Sequence, residues 1–460
     1  MKRINTISTE ISTQMLLPGL GKWLLFFSAM FWQGAAQAAD LVELYQAARQ
    51  HDPVYAAAQS TWAAAQEKLP QARALLRPDI ALSASSSYTS ADTEIQGSSI
   101  ITGGVQEFNT NGVGVTLTQP LYRKQDWMQY EQSELLLKQA DAELKAVEQD
   151  LILRAAQAYF DVLAAQDSLL FVTAQKQAIE RQLLQAKRKF EVGTNTITDV
   201  HEAQAGFDLV LSQVITAKND VLIKNRALGK IIGAAPPALA KLGENWDPTY
   251  PDPMSEEQWM TLARQSNPNV IRQSAALDIA TMEVERQQAG HFPTLDLVAS
   301  YQEDSANGSA TFGIASDSTT KSVGVQLSVP LYSGGATSSR KREALHSKEA
   351  VRYLLEDSQR NAAFDSSQAF LGLINGIAQV KALEQAVISN ESSMKSSERG
   401  WEVGTRTAVD VLNAQQQLFS AKRDLQQSRY NTLLSQLKLD AAAGRLTLQS
   451  VENINTWLVE

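Results

Sequence analysis

Cysteine is absent from the 460 residues of the chain. The protein therefore forms no disulfide, offers no thiolate to a metal ion and has no cysteine for amino-terminal lipidation. The four histidines are scattered without a partner at metal-ligand spacing and are interpreted as surface residues: His51, His201, His291 and His346. No nucleophile, base and orienting group form a recognisable array. We therefore expect no enzyme activity, no metal and no cofactor.

Proline and positive charge are also scarce. With 13 prolines and no Gly/Ser-rich linker, nothing in the sequence separates it into globular domains. Acidic residues outnumber basic ones by 50 to 41, so the chain has no electrostatic footprint for nucleic acid. The apolar run from Trp23 to Trp32 is about ten residues, against the roughly 20 of a membrane-spanning helix, and no later stretch is apolar enough to span as a helix.

Residues 1–39 have the pattern of a secretory signal peptide. Lys2, Arg3 and Lys22 provide its positive region, and the apolar run follows. Ala36-Gln-Ala38 is a small-residue cleavage site. Loss of this segment, with three basic residues and Glu10, takes the formal charge from −9 to −11. The mature chain is predicted to be secreted, periplasmic or an outer-membrane barrel.

The mature sequence is duplicated, with an offset of about 210 to 215 residues. Five landmarks recur in the same order: Asp52-Pro53 as Asn267-Pro268, Pro78 as Pro293, Leu117 to Tyr122 as Leu327 to Tyr332, Gly193 as Gly404, and Gly233 as Gly444. We therefore predict a first repeat at residues 40–243, a second repeat at 244–450 and a short carboxy-terminal tail at 451–460.

Each repeat contains a motif that predicts a helix-turn-helix tip, from Phe190 to His201 and from Trp401 to Leu412. Both copies read Val-Gly-Thr, then a Thr, and an Asp three residues after that Thr. The glycine can end a helix in the left-handed conformation, and the Thr and Asp have the spacing of a capping box that starts the next helix. These residues are Gly193, Thr196 and Asp199 in the first copy and Gly404, Thr407 and Asp410 in the second.

Long helical segments lead into both tips, from Arg123 to Phe190 and from about Gly334 to Trp401. Some 68 residues make a rod of roughly 100 Å at about 1.5 Å per residue. The opening segment of a repeat, Leu41 to Leu76, is predicted to be a helix kinked near Pro53 and Pro70. The returning helices are shorter, Asp199 to Ile232 and Asp410 to Ala443. We expect two short helices to meet end to end beside each rod.

Two alternating segments precede each rod and predict strands with one apolar face: Ile80 to Ala84, Val113 to Leu117, Leu295 to Tyr301 and Val323 to Val329. A polar loop around residues 96–109 separates the first two. Strands of about ten residues can cross a bilayer, with an aromatic belt at or near their ends at Tyr88, Tyr122, Tyr301 and Tyr332. The alternative is a sheet packed on helices, but no amphipathic helix is left over to cover it.

A membrane barrel must close, and bacterial barrels begin at about eight strands. A chain with four strands must then oligomerise. Two copies would give eight strands and three would give twelve, and the pattern does not choose between them.

Several segments resemble the TolC family of outer-membrane efflux proteins: Ala158 to Leu163, Ile197 to Val200, His291 to Leu297, Val329 to Tyr332 and Val403 to Leu412. The resemblance covers residues 40 to 444. It implies a mainly α-helical homotrimer in which twelve strands form one barrel in the outer membrane. The helices would continue that barrel as a tunnel through the periplasm.

The resemblance also implies partners. The tips would dock onto a periplasmic adaptor, or membrane fusion, protein that joins the tunnel to an inner-membrane ABC or proton-driven transporter. The trimer would passively export proteins, as in type I secretion, or small toxic compounds. The adaptor-docking tips are Val192, Gly193, Thr194, Val403, Gly404 and Thr405.

A periplasmic gate at the tips is the third implication of the resemblance, with matching positions Asp199, Trp401, Arg406, Asp410 and Asn413. Three copies of Asp410 would form an acidic ring that favours cations. Asn413 stands where the family usually has a second acid, so a second ring is uncharged here. Trp401 stands where the family has Tyr and can donate a hydrogen bond to Asp199. Arg406 is the expected latch, and the alternatives are a solvated arginine and purely structural capping aspartates.

Two other classes of protein remain as alternatives. A soluble periplasmic coiled-coil adaptor without a pore would need a lipoyl-like β domain, which these sparse strands do not supply. A periplasmic enzyme would need catalytic residues that the sequence does not offer. The cargo is not encoded in any motif, because walls rich in Gln, Ser and Ala predict a wet and unselective lumen.

Overall fold

The computed structural model describes residues 38–93, 104–194, 196–243, 246–310 and 313–459. The predicted signal peptide up to residue 37 and the middle of the predicted polar loop lie outside these residues.

The order of helices and strands is similar in the two repeats: short helices, two strands, a long helix, a shorter returning helix and a final short strand. The first repeat contains α1 (Leu41–His51), α2 (Pro53–Gln66), α3 (Lys68–Ala74), β1 (Asp79–Thr93), β2 (Gly104–Arg123), α4 (Lys124–Glu191), α5 (Ile197–Ile232) and β3 (Lys241–Leu242). The second contains α6 (Glu256–Ser266), α7 (Pro268–Gln288), β4 (Thr294–Ala306), β5 (Ser316–Ser328), α8 (Ala336–Glu402), α9 (Ala408–Ala442), α10 (Leu448–Asn455) and β6 (Leu458–Val459).

The two rods, α4 and α8, are single helices of 68 and 67 residues. Their ends agree with the predicted ends to within two residues. No proline interrupts either helix and α4 contains no glycine, so its backbone hydrogen bonding runs unbroken for roughly 100 Å. Because β2 leads directly into α4 and the tip follows it, the strands lie at one end of the rod and the tips at the other, as predicted.

Shorter helices pack in line along the rods. Towards the tips the helices lie in the order α5, α4, α9 and α8; towards the strands, α2 and α3 replace α5, and α7 replaces α9. The rod α4 is therefore flanked on both sides, whereas α5 and α8 form the two edges of the row.

The shorter helices meet end to end at the duplicated X-Pro positions. Asn267 donates from Nδ2 to the carbonyl of Ala442 at 2.9 Å, which joins the start of α7 to the end of α9. Gly444 approaches this junction so closely that an added Cβ would lie 2.0 Å from the Ser266 oxygen. In the first repeat Gly233 also lies close to the junction of α1 and α2, where a Cβ would be 2.9 Å from the Cβ of His51. The predicted stacking is confirmed.

The predicted kink near Pro53 is a complete break. Asp52 ends α1 and caps α2 by accepting the Tyr55 N–H at 2.8 Å, and Pro53 occupies the first helical position, where no amide hydrogen is needed. Pro70 does not kink the chain in the same way, because it lies in the first turn of α3, after a second break at Glu67.

The sheet has the strand order β1-β2-β4-β5, and all pairs are antiparallel. Its strands have 15, 20, 13 and 13 residues, longer than the predicted ten. Because β2 begins at Gly104, the carboxy-terminal part of the predicted loop is strand. The pairing of β2 with β4 joins the two repeats into one sheet.

A buried core surrounds the middle of α4. Phe160 stacks on Tyr430 of α9 with ring centroids 5.6 Å apart, and the Tyr159 hydroxyl donates to the Ala240 carbonyl at 2.6 Å. The carboxy-terminal tail belongs to this core, since Ile454 of α10 is buried there and β6 pairs with β3. Helix α10 runs across the predicted boundary between the second repeat and the tail.

Candidate functional site

The first tip has the predicted backbone geometry. Gly193 has φ 77° and follows the end of α4, and the Thr194 N–H donates to the Lys189 carbonyl at 2.8 Å. The capping box is complete: Thr196 Oγ1 accepts the Asp199 N–H at 3.3 Å, and Asp199 Oδ2 accepts the Thr196 N–H at 3.0 Å. The left-handed glycine reverses the chain, and the box satisfies the amide groups that the new helix would leave unpaired.

The second tip repeats this geometry closely. Gly404 has φ 80°, the Thr405 N–H donates to the Gly400 carbonyl at 2.8 Å, and Thr407 forms a capping box with Asp410. The N–H and the hydroxyl of Thr407 both donate to Asp410 Oδ2 at 2.8 Å. These two donors, with a smaller contribution from nearby Arg406, lower the pKa of Asp410.

Two apolar side chains project at the extreme ends of the tips. Val192 is 74% exposed and Val403 is 75% exposed. The hydroxyls of Thr194 and Thr405 donate back to the carbonyls of Lys189 and Gly400, so these donors are already satisfied within the tip. An exposed valine therefore marks the most protruding apolar surface of each tip.

Each tip and its two helices form a hairpin: α4 and α5 make the first hairpin, and α8 and α9 make the second. Trp401 is buried, with 7% of its surface exposed, and packs against Ala408 and Val411 of the second hairpin. The Lys189 ammonium lies 4.0 Å from the centroid of the Trp401 ring. A second link joins the same elements, since Gln182 Nε2 donates to the Ala408 carbonyl at 2.8 Å. Helix α4 of the first hairpin is therefore held against the second hairpin within one chain.

The remaining predicted gate residues are not brought together within one chain. Among the described residues, the hydrogen bonds of Asp199 go to Thr196, and the cation over Trp401 is Lys189. Arg406 has no ion pair in the part of the chain that the structure describes; its stem lies against Gly400, where an added Cβ would be 2.6 Å from Arg406 Cγ. Asn413 is exposed, one turn beyond Asp410.

Sequence reasoning missed Lys189 and Gln182. A basic residue in the last turn of a helix is an ordinary favourable partner of the helix dipole, so Lys189 gave no distinctive signal. Its proximity to Trp401 depends on the packing of α4 against α9, which crosses from one repeat to the other.

At the opposite end of the molecule the sheet has one continuous apolar face. Strand register places every second residue on this face, and no helix packs on it within the described residues. The apolar side chains there are Ile80, Leu82, Val113, Val115, Leu117, Leu295, Leu297, Tyr301, Val323, Val325 and Leu327. The predicted apolar face is confirmed, and the alternative of a helix-covered sheet is wrong.

The four tyrosines of the predicted aromatic belt lie at different heights on the sheet. Tyr122 pairs with Leu295, next to the rods, and Tyr332 follows the end of β5 on the same side. Tyr301 lies in the middle of β4, six residues or roughly 20 Å from this level. Tyr88 pairs with Asn109, farther still from the rods. Tyr301 is therefore not near a strand end, because β4 continues beyond the apolar face.

Within the described residues, no helix combines the length and apolar character needed to cross a membrane. The same residues contain no cluster of three or more His, Cys, Asp or Glu side chains that could hold a metal ion.

Long paired rods that end in a four-stranded sheet with a bare apolar face define the fold of outer-membrane channel proteins. A solved structure of CusC, titled for its conformational changes on folding and transmembrane channel formation, has a TM-score of 0.76 at 16% identity and covers 90% of this chain and 95% of its own.

The model of the family described as outer membrane efflux protein matches residues 44–234 and 259–445. The outer membrane protein TolC of Vibrio cholerae is 35% identical over 94% of this chain and 98% of its own length, and that of Escherichia coli is 33% identical over 95% and 88%. The proteases secretion protein PrtF of Dickeya chrysanthemi is 28% identical over 92% of both chains.

The chain belongs to the outer membrane efflux protein family. It is an outer-membrane channel protein that extends into the periplasm, and the alternative of a soluble adaptor is not supported. Its relatives are outer-membrane and secretion proteins, not enzymes.

Proposed function

We propose that three copies of this chain form one channel and tunnel that passively conducts cargo to the outside of the cell. An inner-membrane ABC or proton-driven transporter would deliver the cargo, and a periplasmic adaptor would join that transporter to the tunnel. The apolar face of the sheet, which nothing in the described chain covers, carries this proposal. We expect lipid to contact this face, because a soluble protein would bury an apolar surface of this size.

The height of the apolar face supports a membrane position. Measured along the strands, the apolar side chains extend from Leu295 to Val113, which pairs with Glu303, a span of roughly 26 Å. A strand tilt of about 40° reduces this to roughly 20 Å along the membrane normal, close to the apolar band of roughly 25 Å on membrane barrels. Tyr122 and Tyr332 then lie at the periplasmic edge and Tyr301 at the outer edge. The face becomes polar at Glu303 on β4 and beyond Val113 on β2, so Tyr88, which pairs with Asn109 farther out, lies outside the membrane.

The edges of the molecule support ring closure by several copies. Strands β1 and β5 have one unpaired side each, and exposed strand edges in a membrane must be satisfied. The edge helices carry exposed apolar side chains: Leu209, Ile215, Leu222 and Ile223 on α5, and Tyr353, Leu354, Phe364, Leu371 and Ile388 on α8. If α5, together with α2 and α3 in line with it, packs on α8 of the next copy, the same contact repeats around an axis and closes. Three copies would give twelve strands.

The tips would close the periplasmic mouth of this trimer. Lys189 and Gln182 hold the second hairpin against the first within each copy, and Asp410 would contribute three carboxylates around the axis. The ordinary pKa of an aspartate, about 3.9, is far below neutral pH, so such a ring would be negatively charged and favour cations. Arg406 would be the latch to the neighbouring hairpin, and Asp199 would bond between copies through Oδ1, since its Oδ2 accepts from Thr196. The exposed Val192 and Val403 would be the first contacts of the docking adaptor.

The cargo would be proteins in type I secretion or small toxic compounds in tripartite efflux. The name of PrtF supports the first and the family description supports the second. No residue of this chain is proposed to catalyse a reaction, since transport energy would come from the inner-membrane partner.

Reconstitution of the purified mature chain into planar lipid bilayers tests this function. We expect discrete, cation-preferring conductance steps and a trimer band on gels that disappears on heating. Crosslinking in cells should recover an adaptor and an inner-membrane transporter, and their identity would separate secretion from efflux. A chain that stays monomeric and gives no conductance in lipid would refute the proposal.

A further inference from the structure

A cavity of about 230 Å³ lies close to the tip, between α4 of the first hairpin and both helices of the second. Its lining includes Gln182, Gln415 and Trp401, which are buried, and Arg181, Glu398 and Glu402, which are more accessible. The volume is nearly eight times the roughly 30 Å³ that one water occupies in the liquid, so a short aliphatic amine fits.

Two hydrogen-bond acceptors on the cavity wall have no donor. Gln182 and Gln415 are each only 3% exposed, and the Oε1 atom of each has no hydrogen-bond partner in the described chain. The orientation of the Gln182 amide is fixed, because its Nε2 donates to the Ala408 carbonyl at 2.8 Å. Buried polar atoms are nearly always paired, so two unpaired acceptors on one cavity indicate a missing donor.

The charges at the cavity favour a cationic donor. Glu398 and Glu402 lie one helical turn apart on α8, and Arg181 is the one cation among the lining residues. The Arg181 Nε already donates to the Gln177 carbonyl at 3.3 Å. Lys189 contacts the Trp401 ring but does not line the cavity. The lining residues therefore have a net negative charge, and all the unpaired buried atoms among them accept hydrogen bonds.

We propose that this cavity is a binding site for an organic cation with several hydrogen-bond donors, a guanidinium or primary ammonium group on a short aliphatic stem. The head group would donate to Gln182 and Gln415, and Glu398 and Glu402 would balance its charge. A free amine and a basic side chain of a partner share this chemistry. The site is separate from the acidic ring and does not require that the channel conduct.

Agmatine, which has a guanidinium and an ammonium on a four-carbon stem, is the probe. Titration calorimetry on the full mature chain in detergent, at low ionic strength, should show saturable binding with one site per chain. Gln415→Leu should weaken this binding at least tenfold. Gln416→Leu is the matched control, because Gln416 is the exposed neighbour on the same helix and does not line the cavity. 1,4-Butanediol, an uncharged hydrogen-bond donor on the same four-carbon stem, should not bind.

A second variant guards against misfolding. Gln415→Glu adds a carboxylate at the same position and should bind agmatine more tightly than the unaltered chain. Absence of agmatine binding to the unaltered chain, equal binding by Gln415→Leu and Gln416→Leu, or equally tight binding of butanediol would each overturn the proposal. If agmatine binds, competition with an arginine-containing peptide distinguishes the two possible ligands. A peptide that displaces agmatine would identify a basic side chain of a partner as the ligand. A peptide that does not displace it would identify a free amine as the ligand.

Discussion

The contact of Lys189 with Trp401 gives a quantitative test of the gate. A cation over an indole ring contributes about 0.5–1 kcal/mol at exposed sites and about 2 kcal/mol when desolvated. Trp401 is 7% exposed and the ammonium lies 4.0 Å from the ring centroid, so about 1 kcal/mol per chain is a reasonable value. If the contact exists only in the closed state, three copies contribute about 3 kcal/mol to closure.

Lys189→Met removes the charge and keeps most of the apolar stem. Because each 1.4 kcal/mol is a factor of ten, a loss of about 3 kcal/mol should raise the ratio of open to closed channels roughly 150-fold. Single-channel recording in planar bilayers measures this ratio directly. Lys189→Arg retains a cation that stacks on indole, and it should remain mostly closed.

Lys187→Met is the matched control, since Lys187 is an exposed lysine on the same last turns of α4. It removes the same charge from the tip without touching Trp401. If Lys189→Met and Lys187→Met gave the same open probability, the contact would not hold the gate and general tip charge would explain any change. An open channel in Lys189→Arg would contradict the role of the cation.

Three further predictions concern other parts of the molecule. Gly444→Ala should lower the melting temperature far more than Gly335→Ala. Both glycines have positive φ, but only at Gly444 would the added Cβ collide with a neighbouring backbone. Circular dichroism melting curves of the two variants separate the cost of the collision from the cost of the positive φ. Asn413→Asp should add a second acidic ring and increase the ratio of cation to anion permeability, whereas an unchanged reversal potential in a salt gradient would place residue 413 off the axis. Burial raises the pKa of the Asp167 carboxyl in the folded chain. The free energy of unfolding should therefore fall as the pH rises from the unfolded pKa of about 3.9 through the raised folded pKa. Asp167→Asn can still accept a hydrogen bond from Tyr430, and it should remove this fall when melting curves are recorded between pH 4 and 8.

The features predicted well from the sequence are those fixed by local rules. The ends of α4 and α8, the glycine turns and both capping boxes depend on residues within about five positions of each other, so the sequence motif contains the whole cause. The alternation in Ile80 to Ala84 likewise identified the apolar face, because strand geometry alone puts every second residue on one side.

Features that depend on packing between repeats were not predictable. Nothing near Lys189 in the sequence points to Trp401, which lies more than two hundred residues away and approaches only because α4 packs beside α9. The length of the strands was underestimated for a different reason: the polar ends of β2 and β4 lie outside the apolar face, so they alternate without the hydrophobic signal that marks a strand. Tyr301 was assigned to a strand end for the same reason.

The distribution of buried contacts suggests where opening would occur. Mid-rod, Phe160, Tyr430 and Ile454 belong to one large core that joins α4, α9 and the carboxy-terminal helix. Near the tips the buried clusters are small: Leu183 with two alanines in one, and Trp401 with two neighbours in the other. Regions with few buried apolar contacts open at the lowest free energy. The second hairpin can therefore separate from the first at the tip, at the expense of the Lys189 and Gln182 contacts, while the core holds the rest of the rod in place. Helices α5 and α8 are the two edge helices, so each hairpin has one helix that faces outward from its own chain and one inner helix, α4 or α9, at the seam that would open.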